Sequence, residues 1–324
     1  MALQNDTMNK QQTQKRILIA TVLSFAFFIA YDFLYLQPKQ ALVDQSNAQN
    51  VVTLEKKTKL TQSSTNAPIT SLKGIGNTAP SINLSSNNVV TTIKTLNNII
   101  EIDNLGRISQ VILSGTQYVT EDDKHIKLFD ENQLKPLEVR FSDRKINEEA
   151  FATNVVISET NIDATSNVSK LIITQKLTDT TLTKVMTFYP DGHYDIKASS
   201  TNKAEFFITT GYRPNVLVDM YADHGALLAL NDDTLNIIED EDMDKNLELE
   251  GVNVASAFDR YYATVLYNYD VSMSVSVMKD LDDSPQMFIH AKDEIFLHGY
   301  VGPKEYKILK SLDKRLTSVI EYGW

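Results

Sequence analysis

Ile17–Leu36 reads ILIATVLSFAFFIAYDFLYL, and no other run in the chain is as long and as apolar. Thr21, Ser24 and Asp32 are its clearly polar residues. At about 1.5 Å of rise per residue, such a run covers roughly the 30 Å hydrocarbon core of a bilayer. A backbone in lipid must satisfy its own hydrogen bonds, so a single span has to be helical. A cleaved secretory signal has a shorter apolar stretch and small residues before the cut. A cut after Ala30 would put the bulky Phe28 where a small residue is needed, and Ser46-Asn47-Ala48 lies well beyond the stretch. The segment is therefore read as an uncleaved transmembrane anchor, residues 17–36. Asp32 sits about a turn from its end, where Tyr31 and Tyr35 also suit the interface.

The flanks set the orientation. Lys10, Lys15 and Arg16 precede the span, and Lys39 is the basic residue closest behind it. The excess of positive charge predicts a cytoplasmic N-terminus over 1–16 and the bulk of the chain in the periplasm. Met1 and Met8 both serve as possible starts, because MNKQQTQKR is itself a compact charged leader. The net charge of −11 argues against nucleic-acid binding, which requires a basic footprint. Cysteine is absent, which removes disulfides, thiolate nucleophiles and cysteine metal sites.

Residues 37–88 read as a flexible polar tether. Thr61–Asn88 carries one charge, Lys73, among Ser, Thr, Asn, Gly and Pro, too few apolar groups to offset the entropy of ordering. From Val89 to the end the pattern changes to short β-type runs, predicting one domain over 89–324. Val89–Leu96, IIEI, RISQVIL, LIITQKL, TLTKVMTFYP, HYDIKASS, EFFITTGY, YYATVLY, VSMSVSVM, QMFIHA and EIFLHGYV are rich in Val, Ile, Thr, Tyr and Phe. Asp103-Asn104-Leu105-Gly106 reads as a turn, and Asp191-Gly192 as a two-residue hairpin. Many short strands at regular spacing predict an antiparallel sandwich.

Asn231–Glu250 holds nine acidic residues and one basic residue, Lys245. It reads as a solvated acidic loop, since the carboxylates lack the spacing and central Gly of a calcium loop. At the other end, Gly302-Pro303 opens a predicted amphipathic helix over 303–320, with Tyr306, Leu309, Leu312, Leu316 and Ile320 near one face.

No catalytic, cofactor or metal constellation emerges. His125, His193, His224, His290 and His298 form no HExxH or other close ligand pair. Gly74-Ile75-Gly76 lies in the tether with no strand–helix unit after it, and GxSxG is absent. Glu148-Glu149, if on a strand, point to opposite faces.

The ordered short motifs carry more. FLHGYVGPKEYKILKSLDKRLTSVIEYGW resembles the end of the periplasmic domain of the bacterial YidC/Oxa/Alb insertase family. There a strand leads into a "vGP" turn, a helix and "YGW". Here those positions are Val301-Gly302-Pro303 and Tyr322-Gly323-Trp324. Tyr262-Ala263-Thr264 in NVASAFDRYYATVLY corresponds to a "FAT"-like core. IEIDNLGRISQVIL and MTFYPDGHYDI are similar to the family's first strand pair and mid-domain hairpin. The likeness covers the whole chain and is strongest near the C-terminus.

The resemblance implies a mainly β chain: a large antiparallel β-supersandwich, galactose-mutarotase-like, capped by the C-terminal helix and preceded by the membrane helix. It implies a non-enzymatic role, without cofactor, in inserting and folding nascent proteins of the inner membrane, alone or beside the Sec translocon. In the family a groove arginine on further membrane helices after YGW does the insertion. No position here matches it, so the insertase core is expected to be missing from this sequence. Two other readings stand beside this one: a membrane-tethered mutarotase-like sugar-active enzyme, and a generic envelope adaptor. The first requires a cleft with a histidine and a carboxylate in reach of one sugar.

Overall fold

A computed structural model describes residues 88–216 and 223–319, with backbone alone for 318 and 319. The anchor bounded by Ile17 and Leu36, the tether, and Tyr322-Gly323-Trp324 lie outside these residues. No helix of the described residues is long and apolar enough to cross a membrane.

The chain is built from strands, as the alternating runs predict. β1 (Val89–Lys94), β2 (Asn98–Asp103) and β3 (Ile108–Leu113) form a meander, followed by β4 (Val139–Phe141), helix α1 (Arg144–Ala152) and β5 (Val156–Ile157). β6 (Asn161–Asp163) pairs parallel with β1 and completes a four-stranded sheet, β3-β2-β1-β6. β7 (Ser169–Lys176), β8 (Thr181–Phe188) and β9 (Tyr194–Ser200) form a second meander, followed by β10 (Phe206–Thr209). Then come β11 (Gly225–Leu230), β12 (Leu235–Glu239), β13 (Leu247–Phe258), β14 (Tyr262–Tyr267), β15 (Met273–Lys279), β16 (Pro285–Ala291) and β17 (Glu294–Pro303). Helix α2 (Tyr306–Leu312) and a 3-10 segment (Lys314–Val319) close the described chain.

The large sheet runs β4-β10-β16-β15-β13-β14-β17-β9-β8-β7-β5, all antiparallel, with β11 and β12 added beside β13. β13 is the corner. Leu247–Leu249 pair with β15, whereas Val254–Phe258 pair with β14 on one side and β11 on the other. The register shifts between Leu249 and Val252, where Gly251 takes φ +76°. Only a residue without Cβ adopts that conformation cheaply, so Gly251 lets one strand serve two runs. Ile208, Val275 and Ile289 from one run share a buried cluster with Leu171, Met186, Ile196 and Leu297 from the other. Ile93, Ile100 and Ile108 of the four-stranded sheet join the same cluster. The mainly β, antiparallel layered architecture is thus present.

Several local expectations are corrected. Glu148 and Glu149 lie on α1, not on a strand. Asp143 caps that helix by accepting from the Ile146 N–H at 3.0 Å, and Gln175 donates to the Ala150 and Thr153 carbonyls at its far end. The nine residues of α1 are polar on average and Ala150 is its one buried residue, so the short helix does not stand out in the sequence. The acidic segment Asn231–Glu250 is no continuous loop: it holds β12 and the start of β13, with carboxylates on the outward positions of each strand. The Asp191-Gly192 hairpin is one residue longer than expected. Gly192 N–H closes onto the Tyr189 carbonyl with φ +94° at Gly192, and Tyr189 N–H bonds His193 O. Pro303 ends β17 rather than starting a helix, because Val301–Pro303 are held by cross-strand partners. The helix starts at Tyr306, stops at Asp313 and resumes as a 3-10 segment, so 303–320 is not one continuous helix.

A buried polar cluster joins the two sheets. Asp103, at the end of β2, accepts from the backbone N–H groups of Leu105 and Arg107 at 3.0 Å each. Arg107 donates to Asp103 at 2.7 Å and to Glu138, just before β4, at 2.9 Å. Arg140 donates to the other Glu138 oxygen at 3.0 Å. Lys184, from β8, inserts its ammonium beneath them and donates to the carbonyls of Gly106 and Leu137 at 2.8 and 2.7 Å. All these side chains are buried.

Burial pushes the Lys184 ammonium down to about 7, against the partial opposition of Asp103. The unfolded chain keeps that proton to about 10.4. Between these values the unfolded state binds the extra proton, so stability rises with pH over that window. Thermal melts of the detergent-solubilised chain at pH 7 and pH 9 should show a larger rise in midpoint for the parent than for Lys184→Met, with equal slopes contradicting the assignment. Arg107→Met leaves the buried Asp103 carboxylate without its ion-pair partner, while Glu138 keeps Arg140, and should cost about 3–5 kcal/mol in urea unfolding.

Candidate functional site

The motif residues that are far apart in sequence meet in one strand pair. β14 and β17 are antiparallel neighbours with Tyr262 opposite Pro303, Ala263 opposite Gly302 and Thr264 opposite Val301. The "YAT" and "VGP" triplets are therefore two halves of one structural unit. Of the nine motif residues, these six are brought together; Tyr322, Gly323 and Trp324 lie outside the described residues.

Two glycines of β17 shape this unit, and both are required by close approach. A Cβ on Gly299 would stand 2.2 Å from the buried Tyr194 ring of β9, the strand on its other side. A Cβ on Gly302 would stand 2.6 Å from the Tyr300 hydroxyl, which donates to the Pro303 carbonyl at 3.1 Å. The strand thus presents a bare backbone on each face, and a tyrosine ring fills each gap. Tyr194 and Gly299 were not singled out from sequence; the HGYVG spacing in β17 was the available signal.

The outer face of β13, β14 and β17 is covered by α2 and the 3-10 segment. Leu309 and Leu316 are fully buried against Val254, Phe258, Ala263, Val265, Tyr267 and Tyr300, with Ile308 and Leu312 at the margin. Glu305, just before α2, accepts the Tyr118 phenol at 2.5 Å and so ties the β3–β4 connection to the base of the helix. Burial and that contact push the Tyr118 phenol up to about 12. Lys304 lies 4.6 Å from the Phe258 ring centre, and burial lowers its ammonium to about 8.

The histidines fall into separate places. His298 Nδ1 meets Asp195 at 2.6 Å, and the second Asp195 oxygen accepts the Tyr189 phenol at 2.7 Å. His193 stacks on Tyr189 and pairs with Asp191. His224 shares Asp240 with Arg213, at 3.1 and 2.6 Å, rather than engaging its neighbour Asp223. His290 Nε2 lies 2.5 Å from Ser276 Oγ, which also contacts Glu248 at 2.6 Å. That serine is fully buried, so its oxygen serves as a bridge between two side chains and offers no approach to a substrate carbonyl. Burial lowers the His290 imidazole against the pull of nearby carboxylates. His125 joins Val119 in an isolated bridge.

An open groove of about 560 Å³ is lined by Ser142, Asp143, Ile146, Lys203, Glu205 and Lys292 among others, and no histidine contributes to it. Among the described residues no group of three His, Asp or Glu side chains is placed to hold a metal. The arrangement around β14, β17 and α2 is a packing clamp with a polar outer surface.

The chain is 38% identical over 318 residues to "Membrane protein insertase YidC" of Campylobacter jejuni, covering 96% of this chain and 58% of that protein. Proteins of the same name from Wolinella succinogenes and Helicobacter pylori are 33% and 34% identical, each over 98% of this chain and about three fifths of the relative. The chain therefore spans about three fifths of the length of the curated relatives it matches. No protein-family model matches. Among solved structures, the periplasmic domain of the Thermotoga maritima YidC is similar at 11% identity, 70% of this chain, 94% of that chain and a TM-score of 0.38.

The glycine pair gives a direct test. Gly299→Ala overpacks a buried ring and should lower stability by at least about 1–3 kcal/mol. Gly299→Ala with Tyr194→Leu should recover part of that loss in urea melts, and a neutral Gly299→Ala would contradict the close packing.

Proposed function

We propose, because this chain belongs to the YidC membrane protein insertase family, that it forms the anchored N-terminal and periplasmic part of an inner-membrane insertase. What supports this most is the homology along 96–98% of the chain to proteins named insertases. In this reading Ile17–Leu36 fixes the chain in the inner membrane with its N-terminus cytoplasmic and its β domain in the periplasm. The domain acts without bond-making chemistry and without cofactor. It serves nascent membrane proteins as a chaperoning and docking module, alone or beside Sec translocon components.

The geometry agrees with a binding role. No histidine lines the groove beside Ser142 and Lys292, which counts against the paired acid and base of a sugar-active enzyme there. The motif residues instead build a rigid strand pair that carries a helix, which suits the presentation of a surface.

Crosslinking in membranes of cells that make the chain tests the proposal. The expected adducts contain newly made inner-membrane proteins. Adducts confined to soluble envelope proteins would favour the adaptor reading instead, and faster anomeric exchange of aldoses by the purified chain would favour the sugar-active one.

A further inference from the structure

The segment Lys304–Arg315 holds five basic residues against two acidic ones, in a chain whose net charge is −11. Both acids are occupied. Glu305 takes the Tyr118 phenol at 2.5 Å, and Asp313 is paired with Arg315 at 2.7 Å. Lys307, Lys310 and Lys314 are exposed and form no ion pair with the described residues. Leu309 and Leu316, on the opposite side, are fully buried against the sheet, so the lysines look outward.

Exposed tyrosines border this basic face. Tyr306 is 51% exposed and shares the Lys310 ammonium at 3.2 Å. Tyr261, 46% exposed, lies at the same corner, because its carbonyl accepts the Lys304 N–H at 2.7 Å. Exposed tyrosine beside flexible lysine is the side-chain chemistry of a membrane–water interface: the ring tolerates the headgroup layer, and the ammonium reaches phosphate.

We infer that this face, Tyr261, Tyr306, Lys307, Lys310 and Lys314, docks on the anionic headgroups of a phospholipid surface. The inference rests on the reading above in which Ile17–Leu36 holds the chain at a bilayer, and it goes further by assigning which side of the β domain meets the lipid. Each lysine near an anionic surface adds attraction that fades with salt. The docking is therefore reversible and dependent on lipid charge.

The chain has no cysteine, so a single Ser311→Cys on the exposed side of α2 can carry an environment-sensitive dye. Leu281→Cys, fully exposed between β15 and β16, is the control. With the full chain reconstituted into vesicles, the dye at 311 should shift to the blue when phosphatidylglycerol replaces part of the phosphatidylcholine. High salt should reverse the shift, and the triple variant Lys307→Gln/Lys310→Gln/Lys314→Gln should lose it, with the dye at 281 unchanged throughout. Equal spectra at 311 in the two lipids, or a shift retained by the triple variant, overturns the inference. Alkaline carbonate extraction decides the anchor separately. A chain that washes off refutes the anchor reading, and the same dye comparison with chain added from outside then decides the docking alone.

Discussion

The fold depends on how one lysine is buried. Lys184 rises from β8 into the space between the large sheet and the β2–β3 turn, and its ammonium is held by the carbonyls of Gly106 and Leu137. Around it, Asp103, Arg107, Glu138 and Arg140 alternate in charge. Desolvating such groups is costly, and a hydrophobic set of the same shape would often be as stable. Directional bonds nevertheless fix geometry. Gly106 holds φ +72°, and a side chain there would meet Ile173 at 2.9 Å. The four-stranded sheet can therefore sit in one position on the sandwich.

Once that sheet is set, the remaining constraints are steric. Gly251 lets β13 pass from one run of strands to the other, and Gly299 lets Tyr194 lie flat against β17. The strand pair β14–β17 then offers an apolar outer face that α2 covers with Leu309 and Leu316. The motif triplets belong to this pair, so their short sequences report a packing unit. Their order in the chain was persuasive because each end of the pair has to match the other.

Strands were legible wherever one face is buried and the other is not. β7, β8 and β9 alternate almost residue by residue, and the sequence shows it. Charge misled where strands are exposed. β12 and the first half of β13 put Glu239, Glu248 and Glu250 outward, and their acidity reads as a loop. α1 was hidden because it is short and polar on average, with Ala150 its one buried residue. The Arg107 cluster could not be read at all, since Asp103 meets Glu138 and Lys184 only where one sheet packs on the other. Likewise, Pro303 looks like a helix start in sequence, and only its pairing with Tyr262 shows it to be the end of a strand. The basic face of α2 was written in the sequence as lysines, but its outward direction needed the buried positions of Leu309 and Leu316.

In the proposed function this chain is part of a membrane protein insertase. A chimera tests it most directly: residues 1–324 put in place of the matching segment of the Campylobacter jejuni relative, in cells depleted of their own insertase. Restored growth and insertion of a test inner-membrane protein are expected. A chimera that is made and membrane-embedded, yet leaves that protein uninserted, would contradict it.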